Sequence, residues 1–187
     1  MTTASREGCG ALYATHHGRM DSLPVFVADW EMRCCGKPFS LGTEVRWHLE
    51  FLYEDEFAAP AEVMLPVDSV VTAAATASVA EPEQAEGLRG GLFATWHGSG
   101  IEPPAQPLTG VVRRIRLVRQ HTVQEGSGVT VVPGRSRLTE LTASRDRFAT
   151  GSMLTREDSW AETGLIVDLA MDLDDVIASV SGPRPNF

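Results

Sequence analysis

Apolar and polar positions alternate with a period of two through much of the chain, the pattern of strands with one face buried. The first such run covers 23–30, where Val25, Val27 and Asp29 alternate with Phe26, Ala28 and Trp30. A second covers 43–53, with Val45, Trp47 and Leu49 set against Glu44, Arg46 and His48. Between them lie Cys34-Cys35-Gly36-Lys37-Pro38-Phe39 and the turn Leu41-Gly42-Thr43. Strand, corner, turn, strand is how a small β-barrel or a compact open sheet begins. At the corner, Gly36 is expected to supply a backbone angle closed to other residues, and Pro38 to fix the exit toward Phe39.

Five further runs follow the same logic. Residues 67–80 are rich in alanine but show no i, i+3, i+4 stripe, and their Val and Thr favour a strand. Strands are also expected at 88–96, 108–123, 129–132 and 165–173. In the longest, Val111, Ile115 and Leu117 fall on one face and Arg114 and Arg116 on the other, with Gly110 permitting a bulge. Glu125-Gly126-Ser127-Gly128 reads as a hairpin turn, and 133–137 as another. Residues 138–149 suit a helix or a strand, and 150–163 read as irregular, with Trp160 docked somewhere. In the last run Leu165, Val167, Leu169, Met171 and Leu173 point inward, while Asp168, Ala170 and Asp172 point outward.

Together these runs predict a mainly β fold, a small β-barrel or sandwich of about seven strands with long polar loops. A single domain is expected over 23–181. It follows a leader over 1–22 without any period and precedes a frayed end at 182–187. Met20, just before the first strand, is a candidate start. Trp30, Trp47, Val45, Leu49, Val111, Ile115, Leu117, Val167 and Leu169 are expected to share one buried cluster.

Composition narrows the class. The 187 residues are 43% hydrophobic and 22% charged, enough for one soluble core. A net charge of −9 argues against nonspecific binding to nucleic acid, which depends on Lys and Arg contacts to phosphate. Three cysteines make no disulfide framework and suit a reducing cytoplasm. No apolar run has the length of a membrane span or of a signal peptide core, so no membrane partner is expected.

Candidate chemistry is sparse. Cys34 and Cys35, with His48 and His97, are the nearest approach to a zinc set. Adjacent cysteines turn poorly onto one ion, whose sites space them as Cys-x₂₋₄-Cys. The favoured reading is structural: two reduced, metal-free thiols, one buried beneath Trp30 and Trp47 and the other nearer solvent. His97-Gly98-Ser99-Gly100 resembles an oxyanion loop. The nearest nucleophile elbow, Gly134-Arg135-Ser136-Arg137-Leu138, lacks its second glycine, and no histidine follows His121, so a hydrolase triad cannot be completed. Arg113, Arg114, Arg116 and Arg119 crowd one strand and offer an anion or nucleic-acid site. Asp168 and Asp172 on another strand can balance them instead, the favoured reading. Asp168, Asp172, Asp174 and Asp175 match no calcium-loop spacing.

Trp30-x-Met32-x-Cys34-Cys35-Gly36-x-Pro38-Phe39, followed by Leu41-Gly42-x-x-Val45-x-Trp47, resembles the motif of an uncharacterised family of short actinobacterial proteins. The resemblance extends to 109–115 and 162–169 and spans about half the chain. It implies a soluble bacterial protein and carries no functional residue with it. The leading functional reading is therefore a non-enzymatic binding or regulatory module without a cofactor, its partner a protein or small molecule. The alternative is a zinc- or thiol-dependent site at Cys34 and Cys35, and the third is anion or nucleic-acid binding along the arginine strand.

Overall fold

β1 (Asp21–Ala28) takes β7 (Ser159–Met171) along one edge, antiparallel, and β4 (Arg89–Thr95) along the other, parallel. The computed structural model describes residues 21–53, 60, 63, 65–66, 89–96, 107–125, 128–149 and 159–172. β7 continues to β5 (Leu108–Glu125), β5 to β2 (Glu44–Tyr53), and β2 to β4, so the order β1-β7-β5-β2-β4 closes on itself. Five strands thus form a barrel, and the mainly β expectation holds in its barrel form. β3 (Leu65–Pro66) adds a short pairing to β4. β6 (Gly128–Leu141) lies outside the ring on β5. β5 is long enough for two neighbours on one edge: Leu108–Val111 pair with β2, and Ile115–Glu125 with β6.

The alternation read from the sequence sorts residues between the barrel interior and its outside. Trp47 and Leu49 of β2, Ile115 and Leu117 of β5, and Val167 and Leu169 of β7 share one buried cluster, with Val45 packed at its margin. Phe39 and Trp96 set their rings edge-on to Trp47, with centroids 5.1 Å and 5.9 Å away. Such contacts add to what burial alone contributes. Val111 does not join the cluster, because the β5–β7 register shifts between Val112 and Arg114. That bulge lets Val112 and Ile115, three apart, both face inward.

Trp30 is the larger correction. The first strand ends at Ala28, and Asp29–Cys34 form a short helix, α1. An ion pair at i, i+4 spans it, Arg33 to Asp29 at 2.5 Å. Helical geometry breaks the two-residue period, so Trp30 turns out to solvent, 49% exposed, and Met32 takes the inward place. Gly36 is also required for a different reason. Its φ is not positive; a Cβ there would lie 2.7 Å from the Cα of Met32. Close approach, not an unusual angle, excludes a side chain.

Three boundaries move as well. The chain does not turn away at 133–137: β6 runs on through Pro133 and Gly134, the latter at a φ of 69°, and the β5–β6 register slips between Gln120 and Thr122. Leu138 to Leu141 are strand, not helix. β7 starts at Ser159, inside the stretch read as irregular. Glu125 pairs with Gly128 at the place of the expected hairpin turn, whose two central residues lie outside the described ones. The strand read over 67–80, residues 1–20 and residues 173–187 lie outside the described residues. No helix among the described residues is long and apolar enough to cross a membrane.

The outside of the barrel is not uniformly polar. Phe26, Ala28, Val63, Val118 and Ile166 form a second buried cluster there, with Phe93 and Leu138 packed against it. Gly164 makes this possible, since a Cβ at that position would lie 2.4 Å from the Val27 carbonyl oxygen and 2.8 Å from the Phe26 ring. The gap left by the missing side chain is where Phe26 rests on β7.

Candidate functional site

The alternation that points Trp47 and Leu49 inward turns Glu50 and Leu52 of β2 outward. In register, Glu50 lies opposite Phe93, Phe93 opposite Phe26, and Phe26 opposite Ile166. Glu50, Phe93 and Phe26 of this row floor a cavity of about 430 Å³ on the outer face. One wall is α1, whose Asp29, Trp30 and Glu31 border the space. Across from it stand Gln120 of β5, Val131 of β6 and Thr163 of β7. Here β6 contributes the far wall by leaving the barrel ring.

Glu31 is the anchor between helix and sheet. It has no solvent exposure. The Thr95 hydroxyl donates to one carboxylate oxygen at 2.8 Å and the Trp96 amide to the other at 3.2 Å. A buried carboxylate is tolerated only with such donors. Its backbone carbonyl accepts the amides of Cys35 and Gly36, both at 3.0 Å, which closes the last turn of α1. On the opposite wall, the Thr163 hydroxyl donates to the Gln120 side-chain oxygen at 2.7 Å and so orients that amide.

The lining combines three aromatic rings, Phe26, Trp30 and Phe93, with three carboxylates, Asp29, Glu31 and Glu50. Among the described residues it contains no Lys, Arg or His. A space of this character favours positive charge beside a π surface and disfavours anions.

The arginines read from the sequence are elsewhere and largely engaged. Arg114 bonds Glu140 of β6, its Nε at 2.8 Å, and Arg116 meets Asp168 at 2.5 Å. The compensation expected with Asp168 is therefore made by Arg116, while Arg114 turns to Glu140. Arg119 reaches Glu162 at 3.0 Å, and Arg145 reaches the same carboxylate at 3.1 Å. Burial alone would raise the Glu162 pKa, but the Ala149 amide, Arg119 and Arg145 outweigh it and hold the carboxyl below its ordinary range. Arg113 is exposed. His121 is buried edge-on to Trp160, and Arg137 stacks on that indole, 4.1 Å from its centroid.

Cys34 and Cys35 are both exposed and outside any disulfide, so the expected burial of one beneath Trp30 and Trp47 does not occur. They sit at the end of a helix instead of in an extended corner, and the two-sided alternation does not apply. Cys35 donates to Cys34 across 3.3 Å. That bond, then partial desolvation and the neighbouring Cys34 and Glu31, push the Cys35 thiol above its ordinary pKa. His48 is half-buried on β2, and His97 lies outside the described residues. Among the described residues no three His, Cys, Asp or Glu side chains gather as a metal site.

Sequence reading missed the cleft. One signal was available: Glu31 is an acid inside the apolar run from Val25 to Met32, a position that demands buried donors. No curated protein and no solved structure matches the chain. Residues 21–171, from the first strand to the last, do match one family, and the chain therefore belongs to that family of unknown function, DUF6578.

Proposed function

We propose that the chain is a non-enzymatic binding module whose ligand seat is the cleft between α1 and β6. Its ligand is a compact organic cation, an amine carried on an aromatic or apolar body. The observation that carries this reading is the lining itself, three rings and three carboxylates, of which Asp29 is paired with Arg33, and no basic side chain among its described residues. The volume of about 430 Å³ falls within the usual span for small-molecule sites, roughly 300–1,000 Å³. Phe93 and Phe26 supply an apolar floor, and the exposed face of Trp30 supplies a π surface for the cationic end. Glu50, half-buried at the β2 end of the floor row, is the carboxylate best placed to meet it. The net charge of −9 adds a weak long-range attraction for cations.

An anion or nucleic-acid ligand on the arginine strand is the weaker reading, because Arg114, Arg116 and Arg119 each already hold a carboxylate. Calorimetric titration of the full chain with 2-phenylethylamine and with phenylacetate decides between the charge signs, since the ring is shared. Saturable binding of the amine alone, weakening as salt rises, supports the proposal. Equal binding of both, or of the acid alone, refutes it.

A further inference from the structure

Cys34 and Cys35 end the helix that walls the cleft. Their sulfurs are 3.3 Å apart and both side chains reach solvent. A disulfide needs about 2.05 Å between sulfurs, so a short rotation of the side chains brings them to bonding distance. We infer that this pair is a reversible thiol–disulfide site, and that closing it loosens α1 and lowers the affinity of the cleft. The second half of this inference rests on the binding reading above; the first half does not.

Strain makes the bond reversible. Disulfides usually join Cα atoms about 4.4–6.8 Å apart. Neighbouring residues in a trans chain are held at about 3.8 Å. The Cys34–Cys35 peptide must therefore twist to accept the bond, and strained, exposed disulfides are the easily reduced ones. The oxidant is a small disulfide such as oxidised glutathione. A Cys34 thiolate attacks one of its sulfurs, giving a mixed disulfide and one glutathione thiolate. The Cys35 thiolate then attacks the Cys34 sulfur, the intramolecular bond forms and the second glutathione leaves. Two electrons pass from the protein to the small disulfide, and the two protons end on the released thiols. Nothing else is consumed.

The twist has somewhere to go. The Cys35 and Gly36 amides both donate to the Glu31 carbonyl, and Gly36 packs so tightly on Met32 that the backbone cannot slide that way. Turning the Cys34–Cys35 peptide withdraws the Cys35 N–H from Glu31. The final turn of α1 opens, and Trp30 and Glu31, which border the cleft, shift with it.

The experiment uses the full chain carrying Cys9→Ser, so that only the pair reacts, treated with oxidised glutathione at mildly alkaline pH. Intact mass should fall by about 2 Da as two hydrogens leave, and dithiothreitol should restore it. Cys34→Ser and Cys35→Ser variants should not lose that mass; each can only carry one glutathione. A C9S chain that itself stops at the glutathione adduct, or joins into disulfide-linked dimers, overturns the inference. With the bond formed, 2-phenylethylamine affinity should drop about fivefold or more, and Trp30 emission should shift relative to a Trp30→Phe control. A disulfide that changes neither readout overturns the coupling to α1. A disulfide with shifted emission but no amine binding in either state upholds the inference and sinks the proposed function, so the two failures are distinguishable.

Discussion

Phe26 and Phe93 face one another across the parallel pair that closes the barrel, their ring centroids 5.8 Å apart and their planes inclined by 47°. Neither ring is inside the barrel. Both lie on its outer face, where one side of the pair packs on Ile166 and Val118 and the other floors the cleft. Closure of the barrel and construction of the candidate site therefore share the same two side chains.

Phe26→Ala removes a buried ring from this junction and should cost about 3–5 kcal/mol. The loss is read as a lowered thermal midpoint, roughly 2–4 °C for each kcal/mol in a domain of this size. A midpoint unchanged within error would mean that the outer cluster adds nothing to closure.

Trp30→Ala separates function from fold. The ring is 49% exposed, and surface changes away from packed features usually fall within about 0.5 kcal/mol. Thermal stability should stay near that of the parent chain, while the affinity for 2-phenylethylamine falls. A large loss of stability would show that Trp30 is a packing residue after all.

Gly164→Ala tests the close approach of β1 and β7. The new methyl group meets the Val27 carbonyl at 2.4 Å and the Phe26 ring at 2.8 Å, and a carbonyl in a paired strand has little room to move. Overpacking of this kind typically costs about 1–3 kcal/mol. Chemical denaturation should show a lowered midpoint with an unchanged slope.

Glu162 predicts a pH dependence. Its folded carboxyl titrates below the unfolded value of about 4.3, so below that value the unfolded chain binds a proton the folded chain does not. Its stabilisation is complete above the unfolded pKa and is lost as pH falls through the folded one. Glu162→Gln should flatten the stability curve below about pH 4.3. At neutral pH it should cost about 1–3 kcal/mol, because a neutral amide with one acceptor oxygen replaces the carboxylate that Arg119, Arg145 and the Ala149 amide share. An acid limb as steep as that of the parent would place the titration elsewhere.

What could be read from the chain follows from period two. Wherever one face is buried against the barrel interior, as along Val45, Trp47 and Leu49 or Leu165 to Met171, the alternation names the face correctly. It loses the register where one residue is inserted, as at the bulge that displaces Val111 in favour of Val112. It fails outright at Asp29, where six residues of helix interrupt two strands with no cap side chain to announce the change. The cleft was hidden for a related reason. Its described lining comes from α1 and from every strand except the two-residue β3, and only closure brings Glu50, Phe93 and Trp30 to one place. Periodicity shows which residues face out, not which outward residues meet.

The most direct test of a cationic ligand seat is amide chemical-shift mapping of the full chain during titration with 2-phenylethylamine. Saturable shifts concentrated at 26–31, 50–52 and 93–95, and weakened by Glu50→Gln, are the predicted result. Shifts confined to the arginine strand at 113–119, or none at concentrations where the amine is in large excess, would contradict it.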